Sequence, residues 1–314
     1  MASRTWNRFL GATRQSYQHA TSQEYVERLC TSWLLPGWAL FALRIIISFY
    51  AFTVLFYVIG YRSGIGETEA VEQSFSYFTV LGYWGLAFYH GFTAMHTASL
   101  AFGSSGTAWL SRWPGWMRWL HSVFYATVTV YPYVVTAVFW SLLAANAFES
   151  TLSTFTNISE HGLNSVFAFL ELALPRSDPH PWINLPALIF ILALYLSLAY
   201  LTHATEGIYV YDFLDPANGS GSVFGYCIAI LAATIVLFTI VRYLQLLRRW
   251  LTEDRRARKA AHRIADSHQT DDSTLEMGMT EKHIDTKDNT DHQNSAAVDL
   301  DMSSKEARSK GFDS

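Results

Sequence analysis

The sequence predicts an all-α integral membrane protein, a bundle of six transmembrane helices. Three observations predict it. Apolar runs of about 20 residues with few or no charges recur along the 314-residue chain, the length that crosses a hydrocarbon core as a helix. Hydrophobic residues make up 51% of the chain and aromatics 16%, and many Trp and Tyr sit near the ends of those runs, as an interfacial belt places them. Arginines gather in the loops of one side and acidic residues in the loops of the other.

Residues 1–36 hold Arg4, Arg8, Arg14 and Arg28 against Glu24 and Glu27, without an apolar signal-peptide core, and read as a cytosolic N-terminal segment. The transmembrane domain is expected over 37–250. Its first span, 38–60, carries a single charge, Arg44, roughly 10 Å from the cytosolic side. The loop 61–72 is short and acidic, with Glu67, Glu69 and Glu72. The second span, 74–100, sets Thr79, Tyr83 and His90 on one helical face, the first and last roughly 16 Å apart. A Gly/Ser-rich loop, 102–114, leads to the third span, 120–144, which Pro132 should kink. A polar loop, 145–156, precedes the fourth span, 157–175. The loop RSDPHP, 176–181, leads to the fifth, 182–203, and the loop 204–221 to the sixth, 223–246. Residues 251–314 open with a basic juxtamembrane stretch. They continue as polar sequence without periodicity, with too little apolar surface to offset the entropy of ordering it; a disordered cytosolic tail is expected.

The fourth span is the informative one. At 100° per residue Asn157, His161, Asn164 and Glu171 fall on one stripe with Ala168, and lipid does not accept such a stripe. The other spans must therefore enclose it. Counting depth from the outer side puts Thr79 and His161 at a similar level, with His203 at the end of the fifth span nearby. A hydroxyl beside an imidazole is half of an acyl-transfer site, in which the ring takes the proton as the oxygen attacks a carbonyl. Asn157 or Asn164, one turn either side of His161, would orient the ring or donate to an oxyanion. The same residues also serve as a purely structural polar knot, since a membrane threonine commonly bonds its own i−4 carbonyl. Arg44 and Glu171, both near the cytosolic side, are expected to form a buried structural ion pair. No H-x-x-x-H or H-E-x-x-H spacing occurs, and neither a metal nor a disulfide between Cys30 and Cys227 is expected. Lys and Arg total 22, their densest cluster beside a span, and no nucleic-acid footprint is visible.

These residues resemble the androgen-induced-gene family of multi-span membrane hydrolases and the related rolling-stone group. Tyr77-Phe78-Thr79 stands where that family has its nucleophilic threonine. Asn157, His161 and Glu171 match its Asn, catalytic histidine and glutamate in their helical register. Gly207 to Leu214, GIYVYDFL, is similar to its G-x-W-V-Y-P-F-L loop, with Tyr209 for Trp and Asp212 for Pro. The likeness runs loosely from Phe41 to Leu246. It implies a threonine hydrolase without metal or organic cofactor, acting on esters of fatty acids with hydroxy fatty acids, with Thr79 as nucleophile and His161 as general base. Its partners would be membrane lipids and the lipid ester. After His161 the hydrolases continue H-T-x-x-L-P, whereas this chain reads His161-Gly162-Leu163-Asn164-Ser165. That turn is closer to the rolling-stone group, which implies the alternative of a non-enzymatic protein of membrane organisation.

The charge bias places both termini in the cytosol, in an endomembrane or the plasma membrane, with the N-x-S sequon at Asn218 on the other side. A reporter after Ser314 is expected to be cytosolic and one inserted at Asn218 to lie outside. Glycosylation of a sequon engineered into residues 103–107 would overturn this topology.

Overall fold

The computed structural model describes residues 2–255 and residue 257, and divides the chain into two compact units, Met1–Thr252 and Glu253–Ser314. Of the second unit only residues 253–255 and 257 are described, so the expected tail lies almost wholly outside the described residues. The first unit is helical: α1 (Ala2–Ala20), α2 (Gln23–Leu29), α3 (Gly37–Gly64), α4 (Thr68–Ser74), α5 (Phe78–Ala101), α6 (Gly115–Val138), α7 (Thr151–Ile158), α8 (Asn164–Ala173), α9 (Asn184–Glu206) and α10 (Ser220–Arg249). Four stretches, Gly37–Gly64, Gly115–Leu143, Asn184–Glu206 and Ser220–Asp254, are long and apolar enough to cross a membrane. α5 is 24 residues long but carries Tyr83, Tyr89, His90, Thr93, His96 and Thr97, all buried inside the bundle.

α3 and α5 run antiparallel, Gly37 beside Ala101 and Ser48 beside Ala87. A Cβ on Gly37 would lie 2.7 Å from that of Ala101, so glycine is what allows the two backbones to close there. Ile47, Val54, Leu55, Tyr83 and Leu86 fill their seam. A second core joins α6, α9 and α10 through Val130, Leu188, Phe238 and Val241. The outward faces of α9 and α10 expose Phe190, Leu194, Ile228, Val236 and Ile240, the surface a helix presents to hydrocarbon rather than to water.

One expectation from the sequence changes here, and two segments take places in the bundle that the sequence left unassigned. The N-terminal segment is not merely a leader to the bundle: Val26, Leu29 and Cys30 pack with Tyr89, Leu110 and Tyr125, and the Tyr25 hydroxyl lies 2.9 Å from that of Ser122. The fourth helical stretch starts at Thr151, within the expected loop 145–156, because Ser150 and Ser153 form a capping box. The loop 176–181 is buried rather than solvated, Ser177 and His180 almost completely. Pro179 and Pro181 remove two amide donors from that segment; the Arg176 amide donates to the Thr31 carbonyl at 2.7 Å, and α10 meets three further groups. Arg248 donates to the Ser177 carbonyl and Arg242 to that of His180, while the Gln245 side chain accepts from the His180 amide at 2.8 Å. Burial, with Arg242 nearby, pushes the His180 ring down to about 3. It is therefore neutral at pH 7 and shares a hydrogen bond of 2.8 Å with Thr129.

Asp178 in the same loop ties the N-terminal helices to α10, at 2.8 Å from Arg28, 2.9 Å from Arg249 and 3.4 Å from His19. Burial raises its carboxyl, but the His19 hydrogen bond and the two arginines outweigh that and hold it below the ordinary 3.8. A depressed acid contributes stability above its unfolded pKa and loses it as the pH falls through its folded one. Asp178→Asn is expected to destabilise the protein at pH 7 by roughly 2–3 kcal/mol, read as a lowered melting temperature. The difference from the parent should vanish as the pH drops below 3.8. Equal melting of the two proteins at pH 7 would show that the clamp contributes nothing.

Candidate functional site

Thr79 lies in the first turn of α5, because Phe75 to Tyr77 form a turn after α4 and Tyr77 is extended. The expected helix start at residue 74, and the depth counted from it, are thereby corrected. The Tyr77 side chain does not cap α5, whose first ladder bond is Leu81 to Tyr77 at 3.1 Å. The Tyr211 hydroxyl, from the loop after α9, faces the side chain and amide of Thr79 and the amide of Phe78, with the Tyr195 hydroxyl alongside. That loop begins at Gly207, in the left-handed region at φ 75° as a helix C-terminus requires, and is pinned by the buried Val210 and Leu214.

Thr79 opens onto a cavity of about 280 Å³. Phe78 lines it from α5, Val135 from α6, Leu196 from α9, Leu231 from α10, and Tyr211 and Phe213 from the loop; Phe139 closes one wall. Among the described lining residues only Thr79, Tyr195, Tyr211 and Cys227 bring polar side-chain atoms, and none is charged. Such a space accepts an alkyl chain with one polar end.

His161 occupies a π-helical segment, Ser159–Leu163, between α7 and α8. Its carbonyl accepts from the Thr136 hydroxyl at 2.8 Å and the Trp140 indole at 2.9 Å. The ring stacks on Phe139, centroids 3.6 Å apart and planes within 3°. Thr79 and His161 thus have Phe139 in common, the one across the cavity and the other as a stacked ring. Nδ1 of His161 is buried without a partner among the described residues.

The other expected members are placed elsewhere. Asn157 donates to the Ala147 carbonyl at 3.0 Å. Asn164 accepts from Thr136 at 3.1 Å and from the Ser165 amide at 2.6 Å, and it donates to the Pro132 carbonyl at 3.5 Å. Neither bonds the His161 ring as expected: the π turn adds a residue to the stripe and rotates Asn157 relative to Asn164. His203 stacks on Tyr209 at 3.8 Å rather than joining His161. The histidines that do meet are His96 and His121, rings 5.1 Å apart. Among the described residues no three potential ligands gather for a metal, and Cys30 and Cys227 are both free.

Arg44 and Glu171 are joined by two hydrogen bonds, Nη2 to Oε1 at 2.5 Å and Nε to Oε2 at 3.1 Å. Arg44 is completely buried and also donates to Thr97 at 2.5 Å and to the Leu29 carbonyl at 3.0 Å. Tyr89 donates to Glu171 at 3.1 Å, and His90 Nε2 stands 4.0 Å from the same carboxylate. Tyr89, His90 and Thr97 were not assigned to this centre from the sequence. The available signal was the face that His90 and Thr97 share with Thr93, where 90, 93 and 97 repeat at helical spacing and are all polar.

No protein-family model matches the chain, and no curated protein and no solved structure matches it significantly.

Removing one partner of a buried pair leaves the other charge unpaired. Glu171→Gln is expected to destabilise the protein by about 3–5 kcal/mol, read as a lowered melting temperature in detergent. The double variant Arg44→Met, Glu171→Leu should recover much of that loss, and single variants that melt like the parent would refute the role of the pair.

Proposed function

We propose that the chain is an intramembrane hydrolase of lipid esters, with Thr79 as nucleophile and His161 as general base. The observation that carries the reading is the position of Thr79, on the wall of an uncharged cavity with the Tyr211 hydroxyl turned toward it. Thr79 Oγ1 adds to the ester carbonyl carbon while its proton passes to the imidazole. The carbon–oxygen bond breaks as that proton goes to the departing alcohol, and water then releases the acyl group from Thr79 by the same path in reverse. This reading requires the His161 ring to come within hydrogen-bond reach of Thr79 when substrate displaces Phe139, since such bonds commonly tighten only with substrate bound. The resemblance to the androgen-induced-gene family supports the same two residues in the same roles.

Six spans fit this site, with α5 and the α7–α8 stretch added to the four apolar helices and both termini cytosolic. His90, Thr93 and Thr97 of α5 and Asn164 and Glu171 of α8 are buried, as helices surrounded by others allow. The second reading is a non-enzymatic protein of membrane organisation. It is favoured by Asn157 and Asn164, which are engaged with backbone carbonyls rather than with the His161 ring.

The two readings separate on conservative variants. Under hydrolysis, Thr79→Ser retains turnover, while Thr79→Val, nearly isosteric, abolishes it in a folded protein. His161→Ala should match Thr79→Val, and the double variant should add little, because residues acting as a unit are not additive. The assay is release of fatty acid from esters of hydroxy fatty acids by purified protein in detergent, followed by mass spectrometry. Unchanged turnover in Thr79→Val would leave the non-enzymatic reading.

A further inference from the structure

The cavity beside Thr79 also selects what kind of acyl compound it can take. Its lining contains no charged side chain among the described residues. A carboxylate placed inside would find no cation, and a buried unpaired charge costs far more than a neutral carbonyl held by one hydrogen bond. The wall does offer such a bond. Tyr195 is already committed, donating to the Ser76 carbonyl at 3.1 Å. Tyr211 is held with its hydroxyl toward Thr79 by two rings: Tyr77 edge-on at 5.6 Å and Phe213 parallel at 5.1 Å. Both Tyr211 and Phe213 come from the loop that covers the cavity, so chain and carbonyl would be bound by one segment.

We propose that the cavity binds the neutral acyl chain of a carbonyl lipid, with the Tyr211 hydroxyl donating to its carbonyl oxygen beside Thr79, and that it excludes a free carboxylate. In a substrate with a second, acidic end, that end stays outside the cavity. The proposal rests on the hydrolase reading for its place in a reaction. As a statement about binding it is tested without turnover.

The probe is a long-chain methyl ketone labelled with ¹³C at its carbonyl, added to the full chain in detergent and followed by isotope-edited infrared spectroscopy. Binding should lower the carbonyl frequency below its value in empty micelles. Tyr211→Phe, which keeps the ring, should return the frequency to the micelle value while weakening affinity by only about fivefold, as expected for one neutral hydrogen bond. Leu231→Trp, which fills the cavity, should abolish saturable binding. The ionised fatty acid of equal length should bind the parent at least about tenfold more weakly than the ketone. A lowered frequency that persists in Tyr211→Phe, or equally tight binding of the ionised acid by the parent, would overturn the proposal. A bound, shifted ketone in a protein that hydrolyses no ester overturns the hydrolase reading alone. Ester turnover that Tyr211→Phe leaves untouched overturns this proposal alone.

Discussion

A guanidinium with no exposed surface governs much of this bundle. Arg44 cannot lose its proton, so its charge has to be met inside the protein, and every donor it has needs an acceptor. Glu171 supplies two oxygens from α8, Thr97 a hydroxyl from α5 and Leu29 a carbonyl from α2. One side chain on α3 thereby fixes the positions of three other helices. Glu171 in turn takes a hydrogen bond from Tyr89, so that its own oxygens are satisfied. Charge burial of this kind contributes little net stability compared with apolar packing, yet breaking it is severe. It therefore acts as a register constraint: α3, α5 and α8 fit together in one way.

The same rule explains the neighbouring loop. Residues 176–181 pass through protein instead of over it, and each carbonyl or amide left there must find a partner. Arg242, Gln245 and Arg248 meet two carbonyls and one amide of it at roughly helical spacing along one face of α10, and the Thr31 carbonyl takes the Arg176 amide. Those polar residues at the end of an otherwise apolar helix serve the interior, and Asp178 attaches Arg28 of α2 to the assembly. The N-terminal helices are consequently part of the fold.

The cavity is a contrast to this polar centre. Around Arg44 each charge is paired, whereas the lining beside Thr79 is alkyl and aromatic with a few hydroxyls and a thiol. An uncharged wall with a hydroxyl directed at a threonine suits a neutral chain with a single polar point. His161 stands outside this lining, stacked on Phe139, so the ring and the threonine meet only if that stack is rearranged.

The sequence by itself determined what local pattern and burial energetics determine. Apolar run lengths marked the four helices long and apolar enough to cross a membrane, and an arginine and a glutamate at matching depth within apolar segments had to find opposite charge, which placed Arg44 beside Glu171. The sequence put Thr79 and His161 at a similar depth on neighbouring helices; the structure sets Thr79 on the cavity wall and His161 behind Phe139. What the tertiary structure decided was everything that depends on phase and partner. A capping box moved the start of the fourth helical stretch to Thr151, and the π turn at Ser159–Leu163 rotated its polar stripe, so Asn157 and Asn164 turned to carbonyls. A single residue added to a helix shifts direction by about 100°, and no count along an ideal helix anticipates it. The buried path of residues 176–181 was equally hidden, because its α10 partners lie some 62 to 71 residues away. Side chains so distant in the chain are joined only by packing, and the place of Tyr211 beside Thr79 is a product of that packing too.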